Sequence, residues 1–410
     1  MIGIAPSADF EAAAYPAKAF ILAAGGPGKR GARGTAHSAR LGCYRTFRFD
    51  RLLCQFQNLR GDDRFGNEFL FHLYFHYIPS QTEWNAPLLL QREIIEVPSM
   101  SDLAFLFPGQ GSQFAGMGQR LAEEFPIARE TFAEADEALG FALSKLCFSG
   151  PDEELKKTAN TQPAIVATST AAYRVLAELG HQPSMVAGHS LGEYSALVAN
   201  GCLEFGAALR LVRARGQFMQ DAVPEGVGAM AALLKLPEDK LDQVLQNAAQ
   251  GEIVTAANFN SPDQIVIAGH AAAVERAMQL AKEAGAKRAI RLPVSAPFHC
   301  PLMLPAQEKL KPQVHATVFH LFSVPLINNW QARVVTDPAS ARVGLIEQIP
   351  NPVRWTESIR DLARHGITRF IEVGPGSVLL GLCRSINPSL RGRKFGEPAD
   401  LHPLAADASA

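Results

Sequence analysis

Residues 186–194 carry the sequence VAGHSLGEY, which decides how the rest of the chain must fold. An apolar strand precedes this stretch and a helical pattern follows it. Gly188 and Gly192 flank Ser190 in the G-x-S-x-G pattern, because so tight a strand-to-helix turn brings backbone against backbone. The turn lifts the Ser190 hydroxyl clear of the sheet, beside the Leu191 amide at a helix N-terminus, where negative charge is stabilised. A serine that merely caps the helix would fit the same pattern. The strand before the turn and the helix after it favour a nucleophile.

The composition limits the classes of protein to which this chain can belong. The 410 residues allow two or three domains with ample core, and 47% hydrophobic and 19% charged residues are typical of a globular protein. A net charge of -1 indicates no binding to nucleic acid or to an anionic membrane. No apolar run approaches the roughly 18 residues of a membrane span. The 6 cysteines form no C-x-x-C pair, so we expect no metal site and a cytoplasmic location.

Residues 1–99 differ in composition and hydrophobic pattern from the rest of the chain. They contain a glycine- and arginine-rich patch at 25–34 and an aromatic-rich stretch at 65–77, with no sustained hydrophobic period. We expect an N-terminal extension that is disordered or untranslated, with Met100 as the natural start. A peptide mapping before Met100 in the mass spectrum of the native protein would contradict this expectation.

A glycine-rich loop follows the first clear strand. The strand is predicted over 103–107 and runs into PGQGSQ at 108–113. Open α/β sheets bind ligands at the carboxyl ends of their strands. An ordinary turn would also fit, but two glycines separated by Gln110 suit backbone amides directed at a ligand.

The order of predicted segments indicates an inserted unit. Residues 226–296 show the order β-α-β-β-α-β, which is typical of a ferredoxin-like subdomain. An α/β pattern resumes afterwards, so we expect the catalytic domain to comprise residues 100–225 and 297–390. The Pro- and Ala-rich polar end, 391–410, is expected to be a disordered tail.

Arg215 occupies an unusual position. It falls in the apolar stripe of an amphipathic helix predicted over 205–222. A buried guanidinium is costly without a partner. Periodicity slightly favours a structural arginine that pairs with a core carboxylate or extends to the surface. The alternative is an arginine held for a substrate carboxylate in bidentate geometry.

His299 is a candidate base. Pro297 and Pro301 exclude it from a helix or a central strand. A lone histidine is more often structural. A histidine on a rigid loop at a domain junction, in a chain with a candidate serine, is a better candidate for the catalytic base than most histidines.

Six motifs occur in one order that closely resembles the malonyl-CoA:acyl carrier protein transacylases of bacterial type II fatty-acid synthesis. The resemblance spans roughly residues 100–390 and implies an α/β-hydrolase-like core with an inserted ferredoxin-like subdomain. The motifs are PGQGSQ at 108–113, GHSLGEY at 188–194, Arg215-Gly216, Pro297-Phe298-His299, NPVRW at 351–355 and EVGPG at 372–376.

The resemblance also implies roles for individual residues. Ser190 would be the nucleophile and His299 the general base and acid, with a carbonyl of Gln348 orienting the imidazole. The backbone amides of Gln110 and Leu191 would form the oxyanion hole.

Substrate selection would depend on two further residues. The resemblance implies that Arg215 grips the malonyl carboxylate, which reverses the preference drawn from periodicity. Phe298 resembles the bulky residue that accompanies malonyl rather than methylmalonyl selectivity.

The implied activity is transfer of malonyl from malonyl-CoA to the phosphopantetheine thiol of holo acyl carrier protein through a malonyl-serine. Coenzyme A thioester is then a substrate, and no cofactor or metal is expected. We also expect a monomer with no nucleic-acid or membrane partner. The alternatives are a serine esterase or thioesterase, which Arg215 disfavours, and the acyltransferase of a polyketide pathway.

Overall fold

The computed structural model describes residues 102–294, 296–402 and 404. The predicted extension over 1–99 lies outside the described residues. The strands are β1 (Leu103–Phe107), β2 (Met185–Gly188), β3 (Gly228–Leu234), β4 (Val254–Ser261), β5 (Gln264–His270), β6 (Arg288–Arg291), β7 (Leu326–Ile327), β8 (Val334–Val335), β9 (Arg369–Val373) and β10 (Arg391–Phe395).

Helices cover these strands. They are α1 (Gln119–Glu124), α2 (Pro126–Leu139), α3 (Leu143–Ser149), α4 (Asp152–Leu155), α5 (Thr158–Glu178), α6 (Gly192–Ala199), α7 (Phe205–Gln220), α8 (Leu241–Ala249), α9 (Ala271–Glu283), α10 (Leu304–Ala316), α11 (Pro338–Glu347), α12 (Trp355–Arg364) and α13 (Val378–Ile386). The fold is therefore a mixed α/β fold, as predicted.

The larger sheet has the strand order β10-β9-β1-β2-β7-β8. Its strands are parallel except for β8, which runs antiparallel to β7. Phe105 and Phe107 of β1 face one apolar cluster, whereas Ala104 and Leu106 face the other. Helices therefore cover both faces, which explains why β1 reads as a continuous apolar run.

This topology positions two loops together. Phe107, the last residue of β1, is in register with Gly188, the last residue of β2. Because parallel strands end at the same edge, the loop after β1 and the turn after β2 meet there. The amide of His189 donates to the carbonyl of Phe107 at 3.0 Å.

The smaller sheet is antiparallel, with the strand order β4-β5-β3-β6. Helices α8 and α9 pack on one of its faces. The opposite face contributes Met230 and Val266 to the cluster around the larger sheet. The segment before α12 is bonded to β4 of the smaller sheet through Val353. The amide of Val353 donates to Ala257 O and its carbonyl accepts from Phe259 N, each at 2.9 Å.

The prediction of a disordered tail from residue 391 is wrong over residues 391–402. Strand β10 pairs in parallel with β9 at the edge of the larger sheet. Phe395 is fully buried, and a Cβ on Gly392 would lie 2.2 Å from the Phe370 ring. The burial of Phe395 and the close packing at Gly392 hold this strand in the sheet. The polar composition of the segment gives no indication of either. Residues 405–410 lie outside the described residues.

Two features are absent from the described residues. No helix among them is long and apolar enough to cross a membrane. They contain no group of three or more His, Cys, Asp or Glu side chains that could hold a metal ion.

Candidate active site

The turn after β2 places Ser190 in a strained conformation. Its φ of 51° lies in the left-handed region, which non-glycine residues rarely adopt. A Cβ on Gly188 would lie 2.0 Å from the Gly192 backbone, and one on Gly192 would lie 2.0 Å from Phe107 O. Both flanking glycines are therefore required, and the serine is forced outward at the end of the strand.

Ser190 and His299 are in direct contact. Ser190 Oγ lies 2.7 Å from His299 Nε2, within the range expected for a nucleophile and its base. His299 is buried and has a φ of 58°. The two residues are 109 positions apart in sequence.

The other ring nitrogen of His299 contacts the backbone of Gln348. His299 Nδ1 lies 2.9 Å from Gln348 O. Gln348 caps the C-terminus of α11, where carbonyls lack helical partners and the helix dipole is negative. A carbonyl at this position orients the ring and favours the imidazolium, as a carboxylate would in a Ser-His-Asp triad.

The surroundings of His299 keep it neutral. Burial, followed by the charge of Arg215, lowers the pKa of His299 to about 3. A neutral imidazole is the form that accepts the serine proton.

This low pKa predicts the pH dependence of serine acylation. Since the folded-state pKa is depressed, the base form persists as pH falls through the usual histidine range near 6.5. We expect kcat/KM for acylation to stay level between about pH 8 and 5. Stopped-flow measurement of the first acylation step would check this. An acid limb centred near 6.5 would contradict it.

Arg215 is buried beside the nucleophile. Its side chain is 1% exposed. Nη2 donates to Ser190 Oγ at 3.1 Å and to Gln348 Oε1 at 2.8 Å, and Nη1 donates to Gln162 Oε1 at 3.0 Å. Gly216 allows α7 to approach α5, since a Cβ there would lie 2.6 Å from Thr158 O.

The partners of Arg215 are neutral. Among the described residues no carboxylate lies within ion-pair distance of its guanidinium, so periodicity wrongly favoured a structural ion pair or a surface arginine. Burial lowers the pKa of Arg215. A dry cation held by amides and a hydroxyl suits an incoming carboxylate.

The loop after β1 packs on the turn. A Cβ on Gly109 would lie 2.4 Å from His189 O, so the loop that carries Gln110 lies against the turn that carries Ser190. The amide of Leu191 precedes α6 directly. Phe298 is buried beside His299. The structure therefore brings the predicted site residues to one edge of the larger sheet.

Comparison with known proteins identifies the family. The family model of the acyl transferase domain matches residues 104–391. The malonyl CoA-acyl carrier protein transacylase of Escherichia coli K12 is 50% identical over 303 residues, which cover 74% of this chain and 98% of that relative. The chain belongs to the malonyl CoA-acyl carrier protein transacylase family.

Solved structures of the family agree with the fold. An acyl carrier protein S-malonyltransferase from Vibrio cholerae has a TM-score of 0.73 and 48% identity, covering 74% of this chain and 100% of that chain. A malonyl-transacylase in complex with its type II polyketide synthase acyl-carrier protein has a TM-score of 0.73 and 46% identity, covering 75% and 100%.

Sequence reasoning missed Asn329, which follows β7. Its Oδ1 accepts from Ser190 N at 2.5 Å, and its Nδ2 donates to Gly188 O at 2.6 Å. The side chain thereby clamps both sides of the strained turn. No local pattern indicates this contact, because Asn329 and Ser190 are 139 positions apart.

Glu193 was also missed, although it lies within the motif. Its Oε2 accepts from Asn329 N at 2.9 Å and from Gln348 Nε2 at 2.8 Å. Burial raises its pKa to about 7, against the opposing effects of Asn329, Gln348 and Arg215. The available signal was a charged residue in the first turn of α6, a helix of otherwise small and apolar residues.

Proposed function

We propose that this chain transfers the malonyl group of malonyl-CoA to the phosphopantetheine thiol of acyl carrier protein through a malonyl ester of Ser190. The observation that carries the proposal is the contact of Ser190 Oγ with both His299 Nε2, at 2.7 Å, and the buried Arg215 Nη2, at 3.1 Å. A nucleophile, its base and an uncompensated cation meet at one atom. The names of the relatives support the same reaction.

In the first half-reaction His299 takes the proton of Ser190, and Oγ attacks the thioester carbonyl. Negative charge develops on the carbonyl oxygen, where we assign the amides of Gln110 and Leu191 as donors. Each such donor contributes about 3–4 kcal/mol in comparable sites. When the tetrahedral intermediate collapses, the C–S bond breaks and His299 returns the proton to coenzyme A.

The second half-reaction reverses these steps. The carrier-protein thiol gives its proton to His299 and attacks the malonyl ester. The C–O bond then breaks, and Ser190 recovers its proton. One product leaves before the second substrate binds, so we expect ping-pong kinetics.

Arg215 sets the acyl specificity in this scheme. Malonyl carries its carboxylate one methylene away from the thioester carbonyl, so a carbonyl at Ser190 Oγ brings the carboxylate to the adjacent guanidinium. The guanidinium has five N–H donors, of which Gln162, Gln348 and Ser190 take three, so a carboxylate would pair with those that remain while the two glutamines hold the side chain in place. Phe298, buried beside the base, would limit substituents on the middle carbon.

We infer an α/β-hydrolase-like core over 100–225 and 297–390, with a ferredoxin-like subdomain over 226–296. The β-α-β-β-α-β order and the strand order β4-β5-β3-β6 support the subdomain. We also propose that the enzyme is a cytoplasmic monomer and needs neither cofactor nor metal.

A serine esterase or thioesterase would use the same serine and histidine. A substrate without a free carboxylate would leave the buried Arg215 without a charged partner, at a cost of several kcal/mol. Transfer in a polyketide pathway would use the same chemistry and differs in the carrier protein supplied.

Steady-state transfer tests the proposal. We expect malonyl-CoA and holo acyl carrier protein to give malonyl-carrier protein and free coenzyme A in equal amounts. Apo carrier protein, which lacks the thiol, is the control and should accept none. Release of coenzyme A without malonyl-carrier protein would identify a thioesterase instead.

A further inference from the structure

The carboxylate of Glu193 is fully buried three residues after the nucleophile. One of its oxygens, Oε2, accepts two hydrogen bonds, from the side chain of Gln348 and the backbone of Asn329. The other oxygen has no hydrogen-bond partner among the described residues. The reaction described above does not use this group, and no hydrogen bond or ion pair joins Glu193 to Arg215 or to the serine hydroxyl.

The contact with Gln348 determines which way that amide points. A side-chain amide carries an acceptor on one side and two donors on the other. Its Nε2 donates to Glu193 Oε2 at 2.8 Å and to Ser190 O at 3.1 Å, and its Oε1 accepts from Arg215 Nη2 at 2.8 Å. A reversed amide would turn its NH2 toward the guanidinium, so that two donors would face each other.

We propose that Glu193 is a positioning residue for acyl selectivity: it fixes the amide of Gln348 so that its oxygen holds Arg215 in place for the malonyl carboxylate. The inference rests on the proposed function. Glu193 acts by presenting an oxygen acceptor, and its charge is not required. An ionised carboxylate, a protonated carboxyl and a glutamine amide can each place an oxygen at this point.

Three substitutions of Glu193 distinguish the effect of its acceptor oxygen from the effect of its charge. Glu193→Gln keeps an oxygen where two donors converge, Glu193→Ala removes it, and Glu193→Asp withdraws it by one methylene. The readout is the ratio of kcat/KM for serine acylation by malonyl-CoA to that by acetyl-CoA. Loss of the Asn329 contact, or a smaller folded fraction, would lower both rates together and leave this ratio unchanged.

We expect Glu193→Ala to lower the ratio by about tenfold or more, as for loss of a hydrogen bond that supports a charged group. Glu193→Asp should also lower it, which keeps the test available if the alanine variant does not fold. Glu193→Gln should keep the ratio within about threefold of the original. A glutamine variant as unselective as the alanine variant would overturn the proposal, and so would unchanged selectivity in folded Glu193→Ala or Glu193→Asp.

A double-mutant cycle tests the route of the effect. Because the effect passes through the Gln348 side chain, Glu193→Ala or Glu193→Asp should no longer change the ratio in a Gln348→Ala background. An undiminished effect there would overturn the proposal. Malonyl transfer by the unsubstituted enzyme tests the proposed function, and the selectivity ratios of the variants test the role of Glu193. The two measurements are independent, so failure of the inference and failure of the proposed function are distinguishable.

Discussion

Replacing Ser190 with alanine is expected to lower malonyl transfer by about 10⁴-fold or more, since no covalent intermediate can then form. His299→Ala should cost a similar factor, because the serine loses the base whose Nε2 lies 2.7 Å from its Oγ. The double variant should be scarcely slower than either single variant, because the two residues act as one unit. Initial rates of malonyl-carrier protein formation would measure all three.

The fold should survive the serine substitution. Alanine fits the space of serine, and the clamp by Asn329 reaches the backbone of residue 190 rather than its hydroxyl. Near-UV circular dichroism and the thermal midpoint should therefore match those of the unsubstituted protein. Residual Ser190→Ala transfer above about one-hundredth of the original rate would contradict Ser190 as nucleophile.

Replacing Arg215 with alanine should reverse the choice of acyl group. Truncating one member of a buried charge pair typically costs about 2–5 kcal/mol, so kcat/KM for malonyl-CoA should fall by about 30-fold to about 4,000-fold. Acetyl transfer should rise, because acetyl no longer enters a pocket with an unpaired cation. The measurement is acylation by each thioester separately.

Arg213→Ala is the matched control on the same helix. Arg213 Nη1 donates to Ala159 O and Asn160 Oδ1, and its guanidinium stacks on Phe141. We expect its substitution to leave selectivity unchanged. Unchanged malonyl preference in Arg215→Ala, or an equal loss in Arg213→Ala, would contradict a carboxylate clamp at Arg215.

Local features of the chain were the ones that sequence alone could predict. The turn around Ser190 is specified by residues within a few positions, because the glycines on either side are required sterically. The rigid loop of His299 is visible in its two prolines. Strand β1 lies at the predicted residues, 103–107.

Features that depend on distant contacts could not be predicted from local pattern. The acceptors of Arg215 come from Gln162 and Gln348, which are 53 and 133 positions away, so periodicity placed Arg215 in an apolar stripe but did not identify its partners. Asn329 gave no signal for the same reason. Strand β10 was missed because its pairing with β9 and the burial of Phe395 arise only in the assembled sheet.

Intact-protein mass after brief exposure to malonyl-CoA tests whether Ser190 carries the malonyl group between the two thiols. We expect a single malonyl adduct that requires Ser190, is much weaker with acetyl-CoA, and disappears when holo acyl carrier protein is added. An adduct that decays in buffer as fast as with carrier protein would contradict transacylation and indicate hydrolysis. The absence of any adduct with either thioester would contradict the covalent mechanism itself.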